Sequence, residues 1–230
     1  MRSVVQIVTP SKSELLTTLS RVKGELNITT GTNDEVLQAK IAEASSDVQA
    51  AIGYRLPSED VVETFWRDDG QHWLRLGPHG ANPPETTLFL KRTPVSAIAS
   101  VTVDDLPLDS SEWRLDPDAG LLDRLTPDGR PCAWCFCKSV IVAYTAGFIL
   151  PGNPGRRPPF GLPAGVEGAV VALVSDYWAS RGRDPTLRAE SIPGVIDRQF
   201  WVGAVGDPGL LPPRVLASIA QFRRPAVAVA

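Results

Sequence analysis

The sequence predicts an α+β protein: a helical bundle with an inserted antiparallel β region, either a meander or a small barrel. Three observations carry this expectation. Apolar residues recur at three- and four-residue spacing near both ends of the chain. Through the middle they alternate every second position, and turn-forming residues punctuate that alternation at short intervals. The expected division is a helical part over 1–60, an inserted antiparallel β domain over 61–149, a Pro/Gly connector over 150–164, and a second helical part over 165–230.

The first helical pattern runs from Ser13 to about Leu26. Leu15, Leu16, Leu19, Val22 and Leu26 share one face, and Pro10 to Ser13 supply a proline and capping oxygens ahead of it. Asn27 to Asn33 is a polar break, from which Thr32 or Asn33 caps a second helix with Asp34 and Glu35 in its first turn. That helix carries Val36, Leu37, Ile41, Ala44, Val48, Ala51 and Ile52, and stops at Gly53 with Pro57 beyond.

From Val61 the period becomes two. Glu63–Arg67 and His72–Leu76 flank Asp68-Asp69-Gly70-Gln71, a hairpin signal. Further strands are expected at Thr87–Lys91, Ala99–Val103, Trp113–Asp116, Leu121–Arg124 and Ser139–Tyr144, with Pro117 to Gly120 as one of the turns. Helical spacing returns at Val166, Ala169, Val170, Leu173, Val174, Tyr177 and Trp178, ending near Gly182. Residues 183–210 read as irregular. Pro212-Pro213 then starts a final helix whose face is Val215, Leu216, Ile219 and Phe222.

Composition narrows the class. With 230 residues, 43% hydrophobic and 21% charged, the chain can bury a core and is unlike disordered sequences. No run approaches the roughly 18 apolar residues of a membrane span, and the first ten residues hold too short an apolar run for a signal peptide. Three cysteines are too few for a disulfide scaffold. A soluble intracellular protein is expected. The net charge of −3 conceals a division: residues 1–149 hold 14 basic and 20 acidic residues, whereas 150–230 hold 9 and 6. The acidic part is a poor grip for duplex phosphate, and the basic end suits an acidic partner.

The catalytic inventory is thin. His72 and His79 fall in no metal-ligand pattern and beside no nucleophile, so solvated hairpin positions are expected for both. Asp68-Asp69 and Asp104-Asp105 pair carboxylates that suit a cation on paper, but their neighbours Gly70 and Pro107 fit turns better. Cys132, Cys135 and Cys137 offer zinc-like thiolate spacing without a fourth ligand or a second C-x-x-C, so packing is the default reading. Trp66, Trp73 and Trp113 form an aromatic set that a sugar or base could stack on; core or subunit contact fits their acidic surroundings better. No catalytic residue, metal ligand or cofactor is expected, and no enzyme.

Several stretches, taken in order, are informative together: Asn33–Tyr54, Leu90–Val103, Trp113–Leu122, and Val140-Ile-Val-Ala-Tyr-Thr-Ala-Gly-Phe148 leading through prolines into Val166–Arg181. Their order resembles the head-to-tail connector, or adaptor, proteins of long-tailed bacteriophages and gene transfer agents. The resemblance implies a structural virion neck protein, assembled in the bacterial host cytoplasm. It implies a ring, typically of twelve copies, beneath the portal, joining capsid to tail and continuing the DNA channel. Implied partners are the chain itself, the portal protein, the next neck or tail protein such as a stopper, and duplex DNA that passes without specific binding. No membrane is involved. It also implies that the C-terminal segment reaches the portal, here through Leu210, Leu211, Arg214, Phe222, Arg223 and Arg224. The alternatives are another neck component, a stopper or tail terminator, and a soluble β-domain ligand-binding module.

Overall fold

The computed structural model describes residues 2–66, 86–134, 138–152, 160–181, 189–192, 196–199 and 211–223, the backbone alone for 189–199. Eleven strands and four α-helices lie among them, so the chain is α+β. It divides into two compact units. One holds Met1–Lys12 and Pro57–Ile149; the other holds Ser13–Leu56 and Gly161–Ala230.

The first unit is built of strands. Val4, Val5, Ile7 and Val8 make Arg2–Thr9 a β-branched run, and it forms strand β1, antiparallel to β2 (Glu59–Trp66). Of the helical part expected over 1–60, Arg2–Thr9 belongs to the sheet, as do Glu59 and Asp60 at the start of β2. β2 alternates strictly, burying Glu59, Val61, Glu63 and Phe65. After it come β3 (Thr87–Phe89), β4 (Val95–Val103), β5 (Leu106–Pro107), β6 (Trp113–Asp116), β7 (Leu121–Leu125), β8 (Pro131–Cys132) and β9 (Val140–Ala146). The larger sheet has the order β1-β2-β9-β4-β5, and the smaller β3-β7-β6 with β8 also on β7. This is not a meander. The last strand, β9, sits at the centre because its alternate residues Val140, Val142, Tyr144 and Ala146 are the most deeply buried row available. One core joins both sheets, with Leu88, Leu122 and Trp134 packed among Val61, Val101 and Val142.

Two turns show how composition sets register. Asp104 and Asp105 both have positive φ (49° and 70°) and close a two-residue connection between Val103 and Leu106, which pair across it. Asp tolerates that left-handed backbone better than bulkier residues do. Asp104 Oδ1 also accepts from the backbone N–H of Lys138 (2.6 Å) and Ser139 (3.1 Å), and Asp105 pairs with Lys138 Nζ at 2.8 Å. At Gly120 (φ +67°) a Cβ would lie 2.4 Å from Thr93 Cγ2, so glycine is required by space as well as by φ.

In the second unit, the first helix starts later than its apolar spacing suggests. Helix α1 is Leu19–Glu25, capped by Thr18, whose Oγ1 accepts from the Arg21 N–H at 3.2 Å. Residues 13–17 are non-helical; the buried Leu16 N–H donates to the Ser45 hydroxyl (3.1 Å) instead of joining a helix ladder. Helix α2 is Asp34–Ile52, ending at the left-handed Gly53, with Leu37, Ile41, Ala44, Val48 and Ile52 buried. Asn33 occupies its cap position without a side-chain hydrogen bond, and Val36 stays exposed. Helix α3 (Ala164–Ala179) touches α1, α2 and the last helix, α4 (Pro213–Ile219). That central place explains why its apolar stripe is broad. Pro213 opens α4, and Val215 and Ile219 are buried. The region expected to be irregular holds an antiparallel pair, β10 (Ala189–Ile192) and β11 (Ile196–Gln199).

Leu37→Ala, at a site with no exposure, is expected to cost about 2–5 kcal/mol in urea unfolding. Gly53→Ala, at φ +84°, should cost about 1 kcal/mol through backbone strain alone, since the added methyl meets open space.

Candidate functional site

Most residues singled out for chemistry are explained by local structure or lie outside the described residues. His72, His79, Trp73, Asp68, Asp69, Cys135, Cys137, Leu210 and Arg224 lie outside them. Cys132 is a half-buried free thiol in β8. Nearby Trp134 is buried, donates from Nε1 to the Leu122 carbonyl (3.2 Å), and has the Arg124 guanidinium 6.0 Å from its ring centre. Among the described residues no three histidines, cysteines or acids gather as a metal site. Trp113 packs against the β core and Trp66 is half-buried at the end of β2.

Of the C-terminal candidates, Leu211 is buried and Phe222 is half-buried with its ring 3.6 Å from where a Cβ on Gly165 would sit. Arg214 donates to the Ala172 carbonyl (3.2 Å) and pairs with Asp176, which fastens α4 to α3. Arg223 is exposed and donates from Nε to the Ala51 carbonyl (3.1 Å). They lie at both ends of α4: Arg214, in its first turn, meets the C-terminal half of α3, while Phe222 and Arg223, beyond its last turn, lie by Gly165 at the start of α3 and Ala51 at the end of α2. At the C-terminal end of α3, Tyr177 donates to Asp47 (2.9 Å) beneath Lys40, and Arg181 stacks 4.2 Å from the Trp178 ring centre. Burial, then the hydrogen bond to Asp47, raises the Tyr177 pKa.

The polar group that sequence reasoning missed lies in the β unit. Glu63 has no solvent exposure. Its Oε1 accepts from the Ser3 hydroxyl (2.6 Å); its Oε2 accepts from the Tyr144 hydroxyl (2.7 Å) and the Lys91 N–H (3.0 Å). Lys91 Nζ in turn donates to the Ser3 carbonyl. Four residues earlier on the same face, Glu59 pairs with Arg92 Nη2 at 3.1 Å, and that nitrogen also donates to the Pro57 carbonyl (2.9 Å). The signal was present in the sequence: Glu59 and Glu63 fall in phase with Val61 and Phe65, so one alternation buries all four. A buried carboxylate is costly unless hydrogen-bonded, and Glu63 has three donors. It binds β1, β2, β9 and the β3–β4 connection into one piece. These hydrogen bonds give it a role in fixing the shape of the unit.

Residues 16–83 match the family model described as phage gp6-like head-tail connector protein. The matched stretch covers α1, α2 and β2 and extends beyond the described residues. Among solved structures, a chain of the neck of an empty gene transfer agent (GTA) particle, computed with C6 symmetry, aligns over 99% of this chain and 98% of its own. Its TM-score is 0.53 and its identity 18%. A chain of the neck of a native GTA particle, computed with C12 symmetry, aligns over the same shares with TM-score 0.49 and 18% identity. The first of these likenesses shows a shared fold. No curated protein matches the sequence.

Tyr144→Phe is expected to cost about 1–3 kcal/mol, because Glu63 loses a donor while staying buried. Burial, then the charge of Glu63, raises the Tyr144 pKa above its ordinary value of 10.0. Above that pH the unfolded tyrosine releases its proton while the folded one keeps it, so stability should fall as pH rises. Urea melts between about pH 8 and about pH 11 should show this fall, and Tyr144→Phe should flatten it.

Proposed function

We propose that this chain, which carries the gp6-like head-tail connector pattern over residues 16–83, is a structural protein of a virion neck. It forms a closed ring beneath the portal, joins capsid to tail and extends the DNA channel. The observation that carries the reading is that family match, which spans α2, the longest helix among the described residues. A fold likeness to a GTA neck chain over nearly the whole sequence supports it. The ring is read as twelve copies, from the sequence resemblance. The architecture is read as a helical bundle with all of the β unit except β1 inserted between α2 and α3.

The work of such a protein is assembly, without turnover. The helical unit presents a stiff body because α3 is covered by α1, α2 and α4 and because Arg214 ties α4 to Asp176. The portal contact is assigned to the C-terminal segment. Within it, Leu211, Val215 and Ile219 anchor the chain, which leaves Phe222, Arg223 and Arg224 with the residues beyond to make the contact. Their basic character suits an acidic portal surface. DNA passes a chain that is net acidic, so phosphate is not held tightly. The packing of Trp113 against the β core counts against a stacking platform for sugars or bases.

Deleting all of 210–230 would remove buried core residues along with any contact. Deleting 224–230 together with Arg223→Glu spares the buried face of α4. That variant should keep the wild-type urea midpoint and lose portal docking at least tenfold in mass photometry. Unchanged docking would remove the portal assignment, and a wild-type chain that never docks would remove the neck reading.

A further inference from the structure

Within the β unit, five strands have a single partner among the described residues, and two of these open edges are longer than three residues. β1 pairs only with β2, and β6 pairs only with β7. Exposed edges are templates for strand pairing, and proteins that must stay single usually guard them with charge, proline or short length. β1 has none of these guards between Ser3 and Val8, and it is eight residues long. Its outward face exposes Val4 (56%) and Val8 (59%) around Gln6. The other edges are poorer templates: β5 and β8 are two residues each and include Pro107 and Pro131, β3 is three residues, and the part of β4 that β5 leaves uncovered is broken by two register shifts.

The two open edges also differ in charge. Residues 1–12 contain Arg2 and Lys12 and no acid. Residues 109–118, which include β6, contain Asp109, Glu112, Asp116 and Asp118, with Arg114 as the one base. Arg114 is engaged by Asp123 at 3.0 Å, so the edge is acidic. Both edges belong to the same unit, and a head-to-tail ring needs two different, complementary patches on each protomer.

We propose that β1 of one copy docks along β6 of a second copy, so that the β units close the ring by strand addition. The occupant of the β1 edge is thus another copy of this chain. Backbone hydrogen bonds over the four residues of β6 supply the pairing, Val4 and Val8 cover apolar surface, and the opposite charges fix direction and register. The proposal rests on the ring reading above and assigns it a surface.

Charge exchange tests it in the full-length chain. Asp116→Lys with Asp118→Lys should lower the assembled fraction at least tenfold in mass photometry at low salt. Arg2→Glu with Lys12→Glu should do the same. Mixing the two variants should restore rings in which they alternate, because each basic edge then meets an acidic one, and all four substitutions in one chain should restore them as well. Unchanged assembly of either double variant, or no recovery in the fourfold one, overturns the edge pairing. Should the fourfold chain fail to fold, Val4→Lys with Val8→Lys alters only exposed side chains; rings that persist in it overturn the proposal. A wild-type chain that forms no ring, alone or on a portal, overturns the neck reading and the pairing with it.

Discussion

A carboxylate buried without exposure holds the β unit in register. Glu63 accepts from Ser3 on β1, Tyr144 on β9 and the Lys91 backbone beyond β3. Desolvating that group is unfavourable by several kcal/mol, on the order of what a whole domain retains as net stability. The three donors therefore have to arrive together. This couples an N-terminal strand to the strand that comes last in the unit, across 81 residues of sequence between Glu63 and Tyr144. Glu59 and Arg92 repeat the device four residues away. The β unit is thus specified by polar contacts as well as by its apolar core.

The consequence for function is rigidity at an edge. β1 would fray if only its backbone pairing with β2 held it, since it is an edge strand with one partner and exposed side chains. Ser3, held from its hydroxyl by Glu63 and from its carbonyl by Lys91, pins its start. A strand held in this way offers a fixed line of backbone groups, which suits a repeated contact better than a mobile arm does. The helical unit reaches stiffness differently, through the central α3 and the Arg214–Asp176 tie.

Much of this was legible in the sequence, and the misses have physical causes. The helix over 34–52 was readable because its period, its acidic first turn and the Gly53 stop all agree, although Asn33 makes no capping hydrogen bond. The Asp104-Asp105 turn was readable as turn chemistry. The start of α1 was not, because Leu15 and Leu16 keep a helical spacing while the Leu16 N–H is satisfied by Ser45, 29 residues away. Strand β1 carried a β-branched run whose value depends on pairing with a distant β2, which composition alone does not reveal. The central place of β9 is a matter of topology, and periodicity carries no strand order. For the site, the basic C-terminal segment was legible as charge, but the burial of Leu211 and the engagement of Arg214 were not. The Glu59 and Glu63 pair was hidden by its chemistry, since carboxylates are expected outside.

Single-particle imaging of purified particles, with mass spectrometry to identify the chain, tests the central claim most directly. A closed ring of this chain between portal and tail, with the channel continuous through it, is the expected result. Complete, tailed particles whose neck contains no copy of the chain would contradict it.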